Sequence, residues 1–309
     1  MKSVRFERPP PHVSEARATL RTVRDLIRWA VTRLSAARVA YGHGTSEAWD
    51  EATWLVLWSL RLPLDRLEPV LDARLLETEI AAAIDLVERR CKERIPAAYL
   101  TGEAWLRGVR FRADPRALVP RSLIAELLDT DALAPWIEDD IAVTRVLDLC
   151  TGGGSLAILA ARRFPEASIL ATDLSADALA LARENLALHG LAPRIELRQG
   201  DLWEAVQPPA FNLILCNPPY VNQTSMDALP DEYRAEPAGA LGGGPDGMDL
   251  VKQILGQARA HLRPGGVMVL EIGHEAHGFE QAFPELEFVY LPTASGDDHV
   301  VLLERDALP

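Results

Sequence analysis

From Ser14 onward apolar residues recur at spacings of three and four, as in Leu20, Val23, Ile27, Ala30, Val31 and Leu34. That is the spacing of one helix face, and strand-like alternation is absent up to about Arg94. Gly42-His43-Gly44 breaks the first helix, Thr45 or Ser46 is placed to cap the next, and Leu62-Pro63 and Leu67-Glu68-Pro69 punctuate the stretch again. The pattern predicts a bundle of about four helices. Between Ala98 and Arg121 it changes: Ala104-Trp105-Leu106 and Val109-Arg110-Phe111 flank Arg107-Gly108, which predicts a short hairpin.

From Val143 short apolar runs alternate with helical stretches. The runs are Arg145 to Leu149, Ile169 to Thr172, Arg194 to Leu197, Leu213 to Cys216 and Gly266 to Ile272; Leu156 to Arg163 and Ala176 to His189 are helical. Strand then helix, repeated, predicts a mostly parallel, doubly wound α/β sheet. Two closing runs, Glu287 to Leu291 and His299 to Leu303, are separated by little more than Gly296-Asp297-Asp298 and predict a terminal hairpin with an antiparallel strand. The expected organisation is thus a helical domain over 1–97, a hairpin linker over 98–122 and an α/β domain over 123–309.

Composition adds limits. With 309 residues, 48% hydrophobic and 25% charged, the chain can bury a sizeable core. No apolar run approaches the roughly 18 to 20 residues of a membrane span, and Met1 to Pro11 lack the apolar stretch of a secretory signal, so the expected compartment is the cytoplasm. Cys91, Cys150 and Cys216 lie far apart and form no C-x-x-C pair, which fits neither a disulfide framework nor a zinc site. No metal is therefore expected. The formal charge of −13 opposes non-specific attraction to nucleic acid.

Three features carry candidate chemistry. Asp148-Leu-Cys-Thr151-Gly152-Gly153-Gly154-Ser155 follows a strand and opens a helix, where glycines allow a tight turn and close approach of a ligand to backbone N–H groups. Asp173 ends the next strand, the position from which an acid takes ribose hydroxyls in nucleoside-binding folds; Ser175 after it reads as a helix N-cap. Gly200-Asp201-Leu202 ends the third strand and adds a carboxylate suited to an adenine amino group, or to a solvated turn. Gly152-x-Gly154-x-x-Ala157 also satisfies the dinucleotide fingerprint, so these features alone leave a nicotinamide enzyme open.

Asn217-Pro218-Pro219-Tyr220 decides between them. It falls at the carboxyl end of the fourth strand, where open α/β sheets place ligands. Two prolines fix the backbone, so the Asn217 side chain and the Pro218 carbonyl are held rigidly. An amide or exocyclic amino nitrogen is a poor nucleophile because its lone pair is delocalised. Two acceptors bonding its hydrogens orient that lone pair for methyl transfer, and Tyr220 covers the planar face. The chemistry predicted is methylation of a planar nitrogen from S-adenosylmethionine, leaving S-adenosylhomocysteine, with glutamine and adenine both suitable targets.

The chain resembles the bacterial protein-glutamine N5-methyltransferases of the HemK/Prm family over nearly its whole length. The matching residues are Arg94-Ile-Pro-Ala-Ala-Tyr-Leu-Thr101, Leu118-Val-Pro-Arg121, Asp148 to Gly154, Asp173 and Asn217 to Tyr220. The resemblance implies a helical substrate-recognition domain, a hairpin, and a seven-stranded Rossmann-like class I methyltransferase domain. It also implies that Thr151 to Ser155 and Asp173 line the cofactor pocket, that Asp201 and Leu202 lie near adenine, and that Asn217 to Tyr220 hold a glutamine amide. Asp231-Glu-Tyr-Arg-Ala-Glu-Pro237 with Gly244-Pro-Asp-Gly247 looks like the branch acting on large-subunit ribosomal protein uL3 rather than on the Gly-Gly-Gln loop of peptide release factors. Gly153 and Ser155 depart from that branch, which usually has Ser at the first and Cys or Ala at the second.

Glu236 falls in the loop after the fourth strand and is a candidate substrate contact. Trp29, Trp49, Trp54 and Trp58 fit a helical core better than a peptide groove. Rival readings are release-factor methylation, adenine-N6 methylation, which the acidic balance opposes, and a non-catalytic ribosome assembly factor that keeps the cofactor pocket.

Overall fold

Thr22 and Asp25 make a reciprocal capping box, and from there Val23, Leu26, Ile27, Ala30 and Leu34 turn one buried stripe inward until Arg38 stops the helix in the left-handed region at φ 51°. The computed structural model describes residues 12–207 and 210–309. It divides them into two units, one running to Thr101 with Pro230–Ala235 added, the other comprising Gly102–Leu229 and Glu236–Pro309.

The first unit is helical: α1 (Val13–Thr19), α2 (Val23–Ala37), α3 (Ala48–Ser59), α4 (Glu77–Glu93) and α5 (Ala97–Thr101). The N-cap of α3 is Glu47, not Thr45 or Ser46; Thr45 instead donates its hydroxyl to Glu51 at 2.9 Å. Trp29 and Trp54 are buried in the core, Trp58 is half-buried, and Trp49 is 51% exposed, so only the first two fill the interior. A charge cluster sits among the apolar residues. Arg90, 0% exposed, donates to Glu51 at 2.7 Å, to Glu232 at 3.2 Å and to the Ala40 carbonyl at 2.7 Å. Glu232 also accepts from Arg94 at 3.1 Å and from the Ala40 N–H at 3.0 Å. A charge this deep persists only when paired and fully hydrogen-bonded.

The second unit begins with the hairpin β1 (Glu103–Leu106) and β2 (Val109–Arg112), turned by Arg107 and Gly108, both at positive φ. The hairpin, expected as a linker, is part of this unit. Asn185 accepts from the Arg112 N–H at 2.7 Å, and Phe111 is fully buried. Next come α6 (Ile124–Leu128), β3 (Arg145–Leu149), α7 (Ser155–Arg163), β4 (Ser168–Asp173), α8 (Ala176–His189), β5 (Ile195–Gln199), β6 (Phe211–Cys216), α9 (Gln223–Asp227), α10 (Asp249–His261), β7 (Leu262–Glu271), α11 (Ala276–Ala282), β8 (Val289–Tyr290) and β9 (Val300–Glu304).

Seven strands form one sheet in the order β5-β4-β3-β6-β7-β9-β8. It is parallel from β5 through β7, and β9 is antiparallel to both neighbours. The alternation within each strand feeds two cores. Val146, Leu213, Leu215 and Val269 pack with α7 on one face; Leu147, Leu149, Ile214 and Met268 pack with α10 and Phe279 on the other. Strand order reverses between β3 and β6, which pair with Leu149 opposite Cys216. At such a reversal successive helices leave on opposite faces, so the loops after β3 and β6 open a crevice at the sheet's carboxyl edge.

Candidate active site

The loop after β3 turns through three left-handed residues, Cys150 at φ 64°, Gly152 at φ 54° and Gly154 at φ 81°, before Ser155 opens α7. Asp148 braces it from beneath. Its Oδ2 accepts from the Thr151 hydroxyl and, at 2.9 Å, from the Ala157 N–H, whereas Oδ1 has no hydrogen-bond partner. Burial pushes this carboxyl up to about 7, against the two hydrogen bonds, and the neighbouring Asp173 adds to the rise. Asp148 is therefore an internal strut of the loop, 0% exposed.

Asp173, at the end of β4, accepts from the Gly152 N–H and the Ser175 N–H, each at 2.8 Å, and burial raises its carboxyl. Each oxygen keeps a second lone pair for a ligand hydroxyl. Ser175 caps α8 by accepting from the Ala178 N–H. Gly153 is tied down, since its carbonyl accepts from Asn185 at 2.9 Å. Asp201 is exposed at the start of a single helical turn after β5, and Leu202 beside it takes φ 43° and packs on the core.

The glycines of this loop differ in the room beside them. A Cβ built on Gly152 would meet nothing nearer than Ala117 Cβ at 4.0 Å, whereas one on Gly154 would stand 3.2 Å from Ala182 Cβ. Gly154 is thus needed for packing of α7 on α8, and Gly152 leaves open space beside N–H groups and a carboxylate. A zwitterionic nucleoside with a ribose diol fits that set of groups.

Asn217, Pro218, Pro219 and Tyr220 leave β6 next to this loop. Asn217 is half-buried, and among the described residues its side-chain amide enters no hydrogen bond with another protein group. The far side of the turn is closed by backbone. A Cβ on Gly243 would lie 2.7 Å from Tyr220 Cα and 2.8 Å from the Pro219 carbonyl, and one on Gly247 would lie 2.3 Å from the Tyr220 carbonyl. The Val221 and Gly243 backbones bond Leu241 and Val221 in turn.

Tyr220 is held at its tip. Its hydroxyl donates to Glu271 Oε1 at 3.1 Å, and Glu271 Oε2 accepts from the Ser122 hydroxyl at 2.5 Å and the Leu123 N–H at 2.9 Å. Burial raises the Glu271 carboxyl, against these donors. Glu236, expected at a substrate contact, is 4% exposed; it receives both terminal nitrogens of Arg121 and, at 3.0 Å, the Val119 N–H. Its carboxylate organises the 119–121 segment from within the unit.

Sequence reading missed four participants: Glu271, Gly273, Asn185 and the neighbourhood of Cys150 and Cys216. A lone acid ending an apolar strand, and a lone amide on the buried face of α8, were the available signals for Glu271 and Asn185. Burial, with the neighbouring Cys150 thiol adding to it, raises the Cys216 thiol well above the ordinary range. Among the described residues no cluster of His, Cys, Asp and Glu has the makings of a metal site, and no helix is long and apolar enough to cross a membrane.

Comparison with known proteins is consistent across the chain. Residues 128–231 match the family model of the methyltransferase small domain. The chain is 59% identical over 292 residues to the ribosomal protein uL3 glutamine methyltransferase of Bordetella pertussis, covering 94% of this chain and 98% of that protein. It is 55% identical over 296 residues to the protein of the same name in Burkholderia pseudomallei (94% and 96% covered). Against that of Neisseria gonorrhoeae it is 49% identical over 295 residues (96% and 98% covered).

Proposed function

The chain belongs to the family of ribosomal protein uL3 glutamine methyltransferases, and from that membership we propose that it methylates the side-chain amide nitrogen, N5, of a glutamine in large-subunit ribosomal protein uL3. The observation that carries the reading is the rigid Asn217 to Tyr220 turn set beside the Asp148 to Ser155 loop at the reversal of strand order.

S-adenosylmethionine, when bound, supplies an electrophilic methyl group and leaves as S-adenosylhomocysteine. In this reading Thr151 to Ser155 line its pocket, with the N–H groups of Gly153 and Ser155 turned to its carboxylate while those of Thr151, Gly152 and Gly154 stay bonded to Thr172, Asp173 and Thr151. Asp173 takes the ribose hydroxyls, and Asp201 and Leu202 border the adenine. Asn217 Oδ1 and the Pro218 carbonyl accept the two hydrogens of the glutamine amide, turning its nitrogen toward the methyl group. Pro219 restrains the backbone, and Tyr220 covers the planar amide and keeps water away. The methylated nitrogen is strongly acidic while it bears charge, so the scheme asks for no dedicated base and no metal. Residues 1–97 are assigned to recognition of the substrate protein, with 98–122 leading into the methyltransferase domain over 123–309. Acting on a ribosomal protein also assigns the enzyme to the cytoplasm.

Side-by-side transfer of labelled methyl groups to purified uL3 and to a release factor tests the substrate. Transfer to uL3, mapped to a glutamine, is expected; transfer to the release factor alone would overturn the assignment. Replacement Asn217→Ala is expected to lower kcat at least about 100-fold, the range for losing one pre-set polar contact to the reacting group. Calorimetric affinity for S-adenosylhomocysteine should stay within a few-fold.

A further inference from the structure

We propose that Glu271 is a positioning residue for this reaction, acting through Tyr220 to hold its ring in the one orientation that covers the target amide. The inference rests on the proposed role of Asn217 to Tyr220 and extends it to a residue at the end of the neighbouring strand β7.

The geometry defines the task. A tyrosine side chain has two free torsions, and this one is restrained at both ends. At its root, the backbone of residues 243–247 approaches Tyr220 Cα and its carbonyl so closely that only glycines fit at 243 and 247. At its tip, the hydroxyl donates to Glu271 Oε1 at 3.1 Å. Along its edge lies Gly273, at φ 54°, where a Cβ would stand 2.3 Å from Tyr220 Cε2. A ring so enclosed keeps one position, and the Glu271 hydrogen bond selects it.

The choice of a carboxylate is itself informative. Glu271 is 3% exposed and receives the Tyr220 hydroxyl, the Ser122 hydroxyl and the Leu123 N–H, all donors. A carboxylate accepts on every lone pair and serves all three; an amide presents N–H groups to donors on one side. None of these partners is a cation, so the desolvation of the buried acid is offset by hydrogen bonds alone. It also joins the ring to Ser122, next to Arg121, which Glu236 holds. The segments 119–123, 217–220 and 271–273 are thereby fixed as one frame around the ring.

Glu271→Gln, Tyr220→Phe and the double variant separate orientation from simple structural support. With uL3 as substrate, Glu271→Gln is expected to lower kcat about 10- to 100-fold, with S-adenosylhomocysteine affinity changed less than about twofold. In the Tyr220→Phe background the same change should add less than about twofold, because no hydroxyl remains to orient. Losses that multiply in the double variant, or a Glu271→Gln enzyme at wild-type kcat, would overturn the proposal. If Glu271→Gln does not fold, Ser122→Ala replaces it, with an expected loss of about 3- to 10-fold that likewise disappears beside Tyr220→Phe. A substrate-independent arm follows the Tyr220 resonance in ring-labelled protein, assigned by its loss in Tyr220→Phe. Its dispersed shift should move toward the averaged position in Glu271→Gln, and an unchanged shift counts against the proposal even where uL3 proves not to be the substrate.

Discussion

Replacing Asp148 by asparagine should change how stability depends on pH, and by an amount that follows from its enclosure. The carboxyl is 0% exposed and is pushed from 3.8 up to about 7, chiefly by burial. In the folded protein it keeps its proton across a window in which the unfolded chain releases it. The stability linked to this group is therefore complete below about pH 4 and is lost as pH rises toward 7. Three pH units at about 1.36 kcal/mol each amount to roughly 4 kcal/mol. The substituted amide would not titrate. It can keep its acceptor facing Thr151 and Ala157, and its N–H groups would point where Oδ1 now has no partner, a cost of about 1–3 kcal/mol that does not vary with pH. Urea unfolding of both proteins at unit steps from about pH 4 to 8 gives the difference directly, and other titrating groups cancel in it. The variant should gain on the wild type by about 4 kcal/mol across that window. A flat difference would refute the argument, because it would mean that Asp148 is ionised in the folded state throughout.

Gly154→Ala places a side chain at φ 81° and 3.2 Å from Ala182 Cβ, so a loss of about 1–2 kcal/mol is expected in thermal melts, with cofactor-product affinity nearly kept. Gly152→Ala meets nothing nearer than Ala117 Cβ at 4.0 Å, so beyond a loss of about 1 kcal/mol in melts from its left-handed backbone, calorimetry should find S-adenosylhomocysteine affinity lowered at least about tenfold by a methyl group placed in the open space; the reverse ranking of affinities would refute the assignment of that space. Glu232→Ala removes one partner of the buried Arg90 and should cost about 3 kcal/mol in urea unfolding, whereas Glu232→Gln, which keeps an acceptor, should cost less than half of that.

Legibility followed the range of the interactions. Helix α8 runs from Ala176 to His189 as its pattern predicts, because Ser175 caps it and Gly190 closes it in the left-handed region. Strands β3, β4, β5 and β6 match their apolar runs within two residues; in β3, β4 and β6 burial on both faces is written into the composition, whereas the edge strand β5 is buried only at Ile195. The closing strand β8 shrinks to Val289–Tyr290 at the sheet edge, and β7 starts at Leu262, four residues early, beside an irregularity in its pairing with β6. The glycine loop and the Asn217 to Tyr220 turn could be read because each is a local backbone device. Glu271 could not, since its partner Ser122 lies 149 residues away. Asn185 and Arg112 are 73 apart, and Arg90 and Glu232 are 142 apart. No periodicity connects such pairs.

The assignment of Pro230–Ala235 to the helical unit bears on how this protein can be taken apart. A gene fragment ending at Thr101 would encode all five helices and still lack Glu232, leaving Arg90 and Arg94 without the oxygen they share. Six residues encoded more than a hundred codons downstream complete that interior. Exchanging helical units between proteins by a single junction would therefore pair the incoming helices with the host's own distal segment, and a workable exchange carries Pro230–Ala235 along with the helices.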